Sequence, residues 1–324
     1  MEFKTLKTEQ KGHIFIIKYS YPPKNFIIIR FFYELRILMR KLEKDPSVRV
    51  VILTGDNKEY FISHSDMDEI IEMVGGNANI PKSLFPFITK AVSGLNKVFR
   101  RFPLLEDRFL SSADEKIIVR NGLLITMRLF DEIQHSSKIT IAAINGICIG
   151  GGNELAMCFD FRLMAIGDEI VIGQPEILIG MIPGYGGTQR MARIIGPAKT
   201  LEIQLSGRVL NAVEAENIGL IYKALPADIF ESEVLKFAER LAKRVPEAVK
   251  SLKKAVFKAG EQPLEKGLFT ELHETLHTLT RKDEIKLLKR YSKIIKAELQ
   301  KPDNEQRKPQ EILNLIMDGN LLQD

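Results

Sequence analysis

Apolar positions along the chain follow two rhythms. HIFIIKYS at 13–20 and RVVILTG at 49–55 are short Ile- and Val-rich runs that end in polar or turn residues, so both read as strands. Between them, Phe31, Leu35, Leu38, Met39 and Leu42 recur near helical spacing, with Arg36, Arg40, Lys41 and Lys44 expected on the opposite, solvated side. The pattern predicts a helix over 27–44 that Asp45-Pro46 ends, completing a strand, helix, strand unit. KITIAAINGICIG at 138–150 reads as one further strand, broken by Gly150 to Gly152, with Asn153 capping a helix that begins at Glu154. FRLMAIG at 161–167 and EIVIG at 169–173 read as short strands. IPGYGGTQR at 182–190 is a second Gly-rich turn entering a helix that runs to about Ile195.

From Pro197 onward the spacing is helical, over 199–205, 211–217, 229–243, 246–259 and 263–279, with strand character left mainly near Leu220 to Tyr222. Residues 71–130 show no clear period and hold Gly75-Gly76, Pro81, Pro86 and Pro103, which reads as irregular or helical cover of the kind that forms lids. The chain ends with a basic helix from Asp283 to about Gln300, a Pro-containing turn over 302–309 and a short apolar helix around Ile312 to Met317. Lys286, Lys289, Arg290, Lys293 and Lys296 share one face of that basic helix, opposite Leu287, Leu288, Tyr291, Ile294 and Ile295. A solvated face on a docked helix is the plain expectation, and RNA or phosphate binding the rarer one.

With 324 residues and 45% hydrophobic content, the chain is long enough for a full α/β core plus an appended element, and disorder is not the default. Its net charge of +5 comes from scattered lysines, which suits an anionic ligand such as a nucleotide-bearing thioester as well as it suits nucleic acid. The only cysteines, Cys148 and Cys158, lie in apolar segments, so reduced, packed thiols in a cytoplasmic chain are expected. Glu2, Lys4, Lys7 and Glu9 interrupt any early apolar run, and no stretch of about 18 apolar residues occurs, so neither a signal peptide nor a membrane span is expected. The five histidines lack metal-ligand spacing. His273 and His277 at i, i+4 have no third ligand, and no metal site is expected.

The candidate chemistry lies in two acids beside glycines: Glu154 in GGGNEL at 150–155 and Glu176 in GQPEILIG at 173–180. Each alone is explained as a helix-start acid that complements the helix dipole. Taken together they form a possible acid and base pair, next to backbone N–H groups that stabilise developing negative charge.

At these segments, AAINGICIGGGNEL at 142–155 followed by GQPEILIGMIPGYGGTQRMARIIG at 173–196 closely resembles the enoyl-CoA hydratases of the crotonase superfamily. The resemblance extends through KLEKDPSVRVVILTG at 41–55, LSGRVLNAVEAENIGLI at 205–221 and VKSLKKAV at 249–256, and covers most of 13–282 apart from 71–130. It implies an α/β fold built as a spiral of ββα repeats with a helical C-terminal portion. The divisions are a core at 1–196, a helical, trimerising portion at 197–282 and a basic helical extension at 283–324, which falls outside the resemblance. It implies an acyl-CoA substrate, no separate cofactor, and assembly as homotrimers or homohexamers. The implied reaction is addition of water to the 2,3 double bond of an enoyl-CoA. Isomerase or hydrolase chemistry of the same superfamily, or a non-catalytic RNA- or partner-binding role, are the alternatives.

By motif position, the resemblance gives Glu154 the activation of water, Glu176 the proton for the α-carbon, and the backbone N–H groups of Gly151 and Ser65 the thioester oxygen. Tyr185 lies in the second Gly-rich turn, near the expected acyl group, where packing and substrate contact are equally open. The family usually has Gly one residue before the first oxyanion donor. Here His64 stands there in YFISHSDMDEI, so the backbone either accepts a costly conformation or reshapes the loop. Asp66 reads as a loop or helix-start acid.

Overall fold

The computed structural model describes residues 3–75, 81–110, 114–302 and 306–317, so parts of the expected cover and tail lie outside the described residues. Among the described residues ten strands form two sheets: β1 (Leu6–Lys11), β2 (Ile14–Tyr19), β3 (Val50–Gly55), β4 (Tyr60–Ile62), β5 (Ile139–Ile144), β6 (Ile147–Ile149), β7 (Phe161–Ile166), β8 (Ile172–Gly173), β9 (Val209–Leu210) and β10 (Lys223–Pro226). The larger sheet has the order β1-β2-β3-β5-β7-β10 and the smaller β4-β6-β8-β9. β1 pairs antiparallel with β2, and from β2 to β10 the larger sheet is parallel. Successive turns of chain place one strand in each sheet before a helix: β3 and β4 precede Met67–Gly75, and β5 and β6 precede Gly151–Ala156. This is the spiral of ββα turns.

The central parallel strands β3 and β5 are apolar along nearly their whole length because both faces are covered. Val51, Leu53, Ala142 and Ile144 point into one cluster with Phe31, Leu35 and Leu38 of the helix Ile29–Lys44. Val50, Ile52, Ile139 and Ile141 point the other way, against Phe230, Val234 and Ala238 of the helix Phe230–Ala242. Each large side chain so buried contributes roughly 1.5–3 kcal/mol relative to exposure.

Three expectations need correction. Residues 138–150 are two strands in different sheets, because the chain turns at Asn145-Gly146. A Cβ on Gly146 would sit 2.4 Å from the Glu59 backbone, and the Asn145 side chain bonds the Gly55 amide at 3.0 Å, which fixes the crossing. The helix bearing Glu154 begins at Gly151 with Gly150 as its N-cap, and Asn153 lies inside it with no cap bond. Arg36 is buried rather than solvated.

The burial of Arg36 has its cause in the cover segment, which is helical: Phe85–Arg101, Pro103–Leu110, Glu115–Arg120 and Gly122–Gln134. Glu106 from this segment is fully buried and accepts hydrogen bonds from Arg36 Nη2 at 2.6 Å and from Arg128 Nε at 2.6 Å, while Arg36 also bonds Glu132 at 2.8 Å. Phe99 and Leu110 are buried beside it. The cover is thus fastened to the core by a buried ionic cluster with an apolar surround.

Removing one partner of such a cluster strands the remaining charge. Glu106→Gln is expected to lower unfolding stability by about 3 kcal/mol. A denaturant midpoint unchanged from the parent would show that the cluster does not hold the cover in place.

Candidate active site

The site begins with glycines that let backbone and carboxylates approach. Gly150 has φ 57° and ψ −129°, a conformation glycine adopts without a Cβ penalty. A Cβ there would also lie 3.5 Å from Glu176 Oε1 and 3.6 Å from the His64 Cβ, so Gly150 sits between the two loops. A Cβ on Gly151 would fall 2.9 Å from Ile27 Cδ1, 3.1 Å from Ser65 Oγ and 3.2 Å from Tyr185 Cδ2. Gly151, Ser65 and Tyr185 therefore meet at one point, with Glu176 and His64 on the adjoining side.

Glu154 lies at the first turn of the short helix and is buried. Its Oε1 accepts hydrogen bonds from the backbone N–H of Tyr185 and of Gly187, each at 2.7 Å, which joins the two Gly-rich turns. No donor among the described residues reaches its second oxygen. Burial, reinforced by the nearby Glu176 charge, pushes the Glu154 carboxyl up to about 7, against the pull of the Gly187 and Tyr185 amides and of Arg190. Glu176 opens the 3₁₀ turn Glu176–Ile179, and Gly180, in a left-handed conformation, closes it. Burial raises the Glu176 carboxyl as well, and its Oε2 has no hydrogen-bond partner.

Ser65 pairs with Ile27 through an isolated parallel bridge, in which the Ile27 N–H donates to His64 O and the Asp66 N–H to Ile27 O, both at 2.8 Å. That pattern turns the Ser65 N–H away from Ile27. Gly151, as the first residue of its helix, has an amide with no intrahelical acceptor.

His64 keeps an ordinary backbone: among the described residues, the only non-glycine with positive φ is Asn25. The loop thus does without the family's glycine. The His64 ring lies 4.6 Å from the Phe26 ring, and its Nδ1 is 2.8 Å from Ser65 O. Asp66 starts the helix Met67–Gly75, its Oδ1 accepting from the Asp68 and Glu69 amides, as a helix-start acid should.

Tyr185 combines backbone and packing roles. Its ring meets Phe32 at 5.6 Å and Phe130 at 5.9 Å, both edge-on, and burial raises its phenol, offset in part by Ser65. Two supports escaped the sequence reading. Arg190 Nη1 donates to Tyr185 O at 2.9 Å and its Nε to Gln134 Oε1 at 3.0 Å, holding the second turn to the neighbouring helix. Gln174 is fully buried, and a Cβ on Gly187 would meet its Nε2 at 1.9 Å, so any side chain at Gly187 would have to displace the Gln174 amide. The QP pair before Glu176 was the available signal for Gln174.

Elsewhere, Cys148 and Cys158 are free and buried. Among the described residues no group of His, Cys, Asp or Glu could hold a metal ion, and no helix is long and apolar enough to cross a membrane. Lys286, Lys289, Lys293 and Lys296 are exposed on the helix Lys282–Leu299, yet Leu288 and Tyr291 on its apolar side are exposed too.

The family model for enoyl-CoA hydratase/isomerase matches residues 9–98 and 124–307. The unmatched interior is therefore 99–123, shorter than expected, and the match includes the basic helix that the sequence reading had set outside the resemblance. A probable mitochondrial enoyl-CoA hydratase of Dictyostelium discoideum is 31% identical over 87% of each chain. A crotonyl-CoA hydratase of Syntrophomonas wolfei is 28% identical over 74% of this chain and 75% of its own. The crystal structure of an enoyl-CoA hydratase from Bacillus anthracis matches the fold with a TM-score of 0.70 at 24% identity, covering 90% of this chain and 96% of that one.

The raised Glu154 carboxyl has a consequence for stability. A carboxyl that binds its proton more tightly when folded contributes stability fully below the unfolded value of 4.5, and that contribution is lost as pH rises through about 7. Glu154→Gln should remove this decline, by up to about 3 kcal/mol, from urea unfolding measured across the window. Identical pH slopes in parent and variant would exclude the shift.

Proposed function

The chain belongs to the enoyl-CoA hydratase/isomerase family, and on that premise we propose that it adds water across the 2,3 double bond of an enoyl-CoA to give a 3-hydroxyacyl-CoA. The observation that carries the assignment of residues is the Glu154 carboxylate gripped by the Tyr185 and Gly187 amides, with Gly151 and Glu176 at the same centre.

In this reading the thioester oxygen lies between the Ser65 and Gly151 N–H groups, which stabilise the enolate charge as it develops. Ionised Glu154 takes a proton from water while the water oxygen bonds to C3. The π electrons move to C2, which receives the proton held by Glu176. Burial raises both carboxyls and the Glu176 charge adds to the rise at Glu154, which supports one proton shared between the two acids, while the division of roles between them rests on the resemblance. Passage of a proton from Glu154 to Glu176 restores the starting state. Coenzyme A enters as part of the substrate, and the reaction needs no separate cofactor.

Assembly of several copies is part of the proposal. Leu264, Leu268, Leu272 and Leu276 leave an apolar stripe exposed on the helix Leu264–Leu279, and Leu178, Ile179 and Ile182 are exposed after Glu176. Such exposed apolar side chains support a homotrimer or homohexamer. The buried free thiols support a reducing, cytoplasmic setting.

Loss of the conjugated enoyl-thioester absorbance with crotonyl-CoA measures hydration directly, and product mass separates added water from isomerisation or thioester cleavage. Glu154→Gln and Glu176→Gln are each expected to lower turnover by about 10²–10⁴-fold. A folded protein with no turnover across short, medium and aromatic enoyl-CoAs would reject the assignment.

A further inference from the structure

Tyr185 stands between the candidate centre and a cleft. On one side its ring comes within 3.2 Å of the Cβ position of Gly151, and its own amide donates to Glu154, so it stands next to the reacting centre. On the other side it forms part of the wall of a cleft of about 730 Å³. The cleft is lined by Leu123, Met127 and Phe130 from the helix Gly122–Gln134, by Met157, and by Val256 and Phe257 from the helix Pro246–Ala259. Its volume is within the range of small-molecule pockets, and its lining also carries charged side chains, among them Arg100, Asp131, Arg190, Arg193 and Glu261.

The ring is not free to swing aside. Phe32 and Phe130 hold it edge-on, and both ends of the residue's backbone are engaged, the N–H by Glu154 and the C=O by Arg190. An acyl chain whose thioester lies at Gly151 and whose C2 and C3 lie between Glu154 and Glu176 would meet this ring as it continues beyond C3.

We propose that Tyr185 is a specificity-determining residue that ends the acyl pocket, so that the site selects short 2-enoyl thioesters and the cleft behind is closed to the acyl tail. The proposal rests on the hydratase reading for the position of the reacting carbons. Removing the ring beyond Cβ opens the centre toward the cleft, where a longer tail meets Met127, Met157, Val256 and Phe257.

The test compares the full-length parent, Tyr185→Phe and Tyr185→Ala. Hydration is measured with four-carbon and ten-carbon 2-enoyl-CoA, and binding of unreactive butanoyl-CoA and decanoyl-CoA by calorimetry. The parent and Tyr185→Phe should favour the four-carbon thioester in both assays. Tyr185→Ala should move the ten-to-four ratio of kcat/KM, and the corresponding ratio of affinities, by about tenfold or more toward the long chain.

Equal handling of both lengths by the parent would overturn the proposal, and this needs no variant to fold. An unchanged ratio in folded Tyr185→Ala would overturn it as well. If the binding ratios shift as expected while no form hydrates either enoyl-CoA, the wall stands and the hydratase reading falls.

Discussion

The backbone N–H groups of Tyr185 and Gly187 converge at 2.7 Å on a single oxygen of Glu154. A buried carboxylate without donors is costly, and here the donors come from a turn 31 and 33 residues further along the chain. The bond thus fixes a carboxylate and also sets the distance between two Gly-rich turns. Much of the surrounding sequence follows from keeping that distance. Gly186 adopts φ 100°, Gly187 leaves room for the Gln174 amide, and Arg190 braces the Tyr185 carbonyl.

The spiral brings these turns together without long loops. β6 and β8 are adjacent and parallel, so the chain leaves both at the same edge: one exit becomes the helix with Glu154 and the other the turn with Glu176. β4, on the far side of β6, delivers Ser65 by the same logic. Three short strands of the smaller sheet therefore end in the three loops of the site, and the larger sheet supplies the packed base beneath them.

Legibility in the sequence followed the range of the forces involved. Periodic apolar spacing found the long helices to within a residue or two, as at Ile29–Lys44, Pro246–Ala259 and Lys282–Leu299, because amphipathic packing is encoded locally. The break between β5 and β6 is marked locally only by Asn145-Gly146, with apolar residues continuing on both sides, and what fixes it are the distant Glu59 backbone and Gly55. Arg36 was misplaced for the same reason: helical spacing gives its face, while its partner Glu106 lies 70 residues on. β1 was missed because a row of exposed polar and charged positions masks an edge strand that pairs with β2 and buries only Leu6. At the site, the Gly-rich motifs exposed the two acids. The uses of Arg190 and Gln174 depend on contacts no local pattern records.

Placing two carboxyls in one buried centre works against folding, and stability has to come from elsewhere. Burial raises both Glu154 and Glu176, so ionising either in the folded state is opposed by lost hydration. The same chain invests in charge pairing away from the site, where it carries no reactive burden. Arg36, Arg128, Glu106 and Glu132 neutralise one another under the cover, and Lys253 bonds Asp160 at 2.7 Å at the sheet base. The contrast is in the partners: acids of the cover meet guanidinium groups, whereas Glu154 meets only amides and Glu176 leaves an oxygen without a donor. A carboxylate matched by arginine has its charge compensated within the pair. One matched by amides alone stays close enough to neutral to exchange a proton, which is the property the proposed reaction asks of the pair.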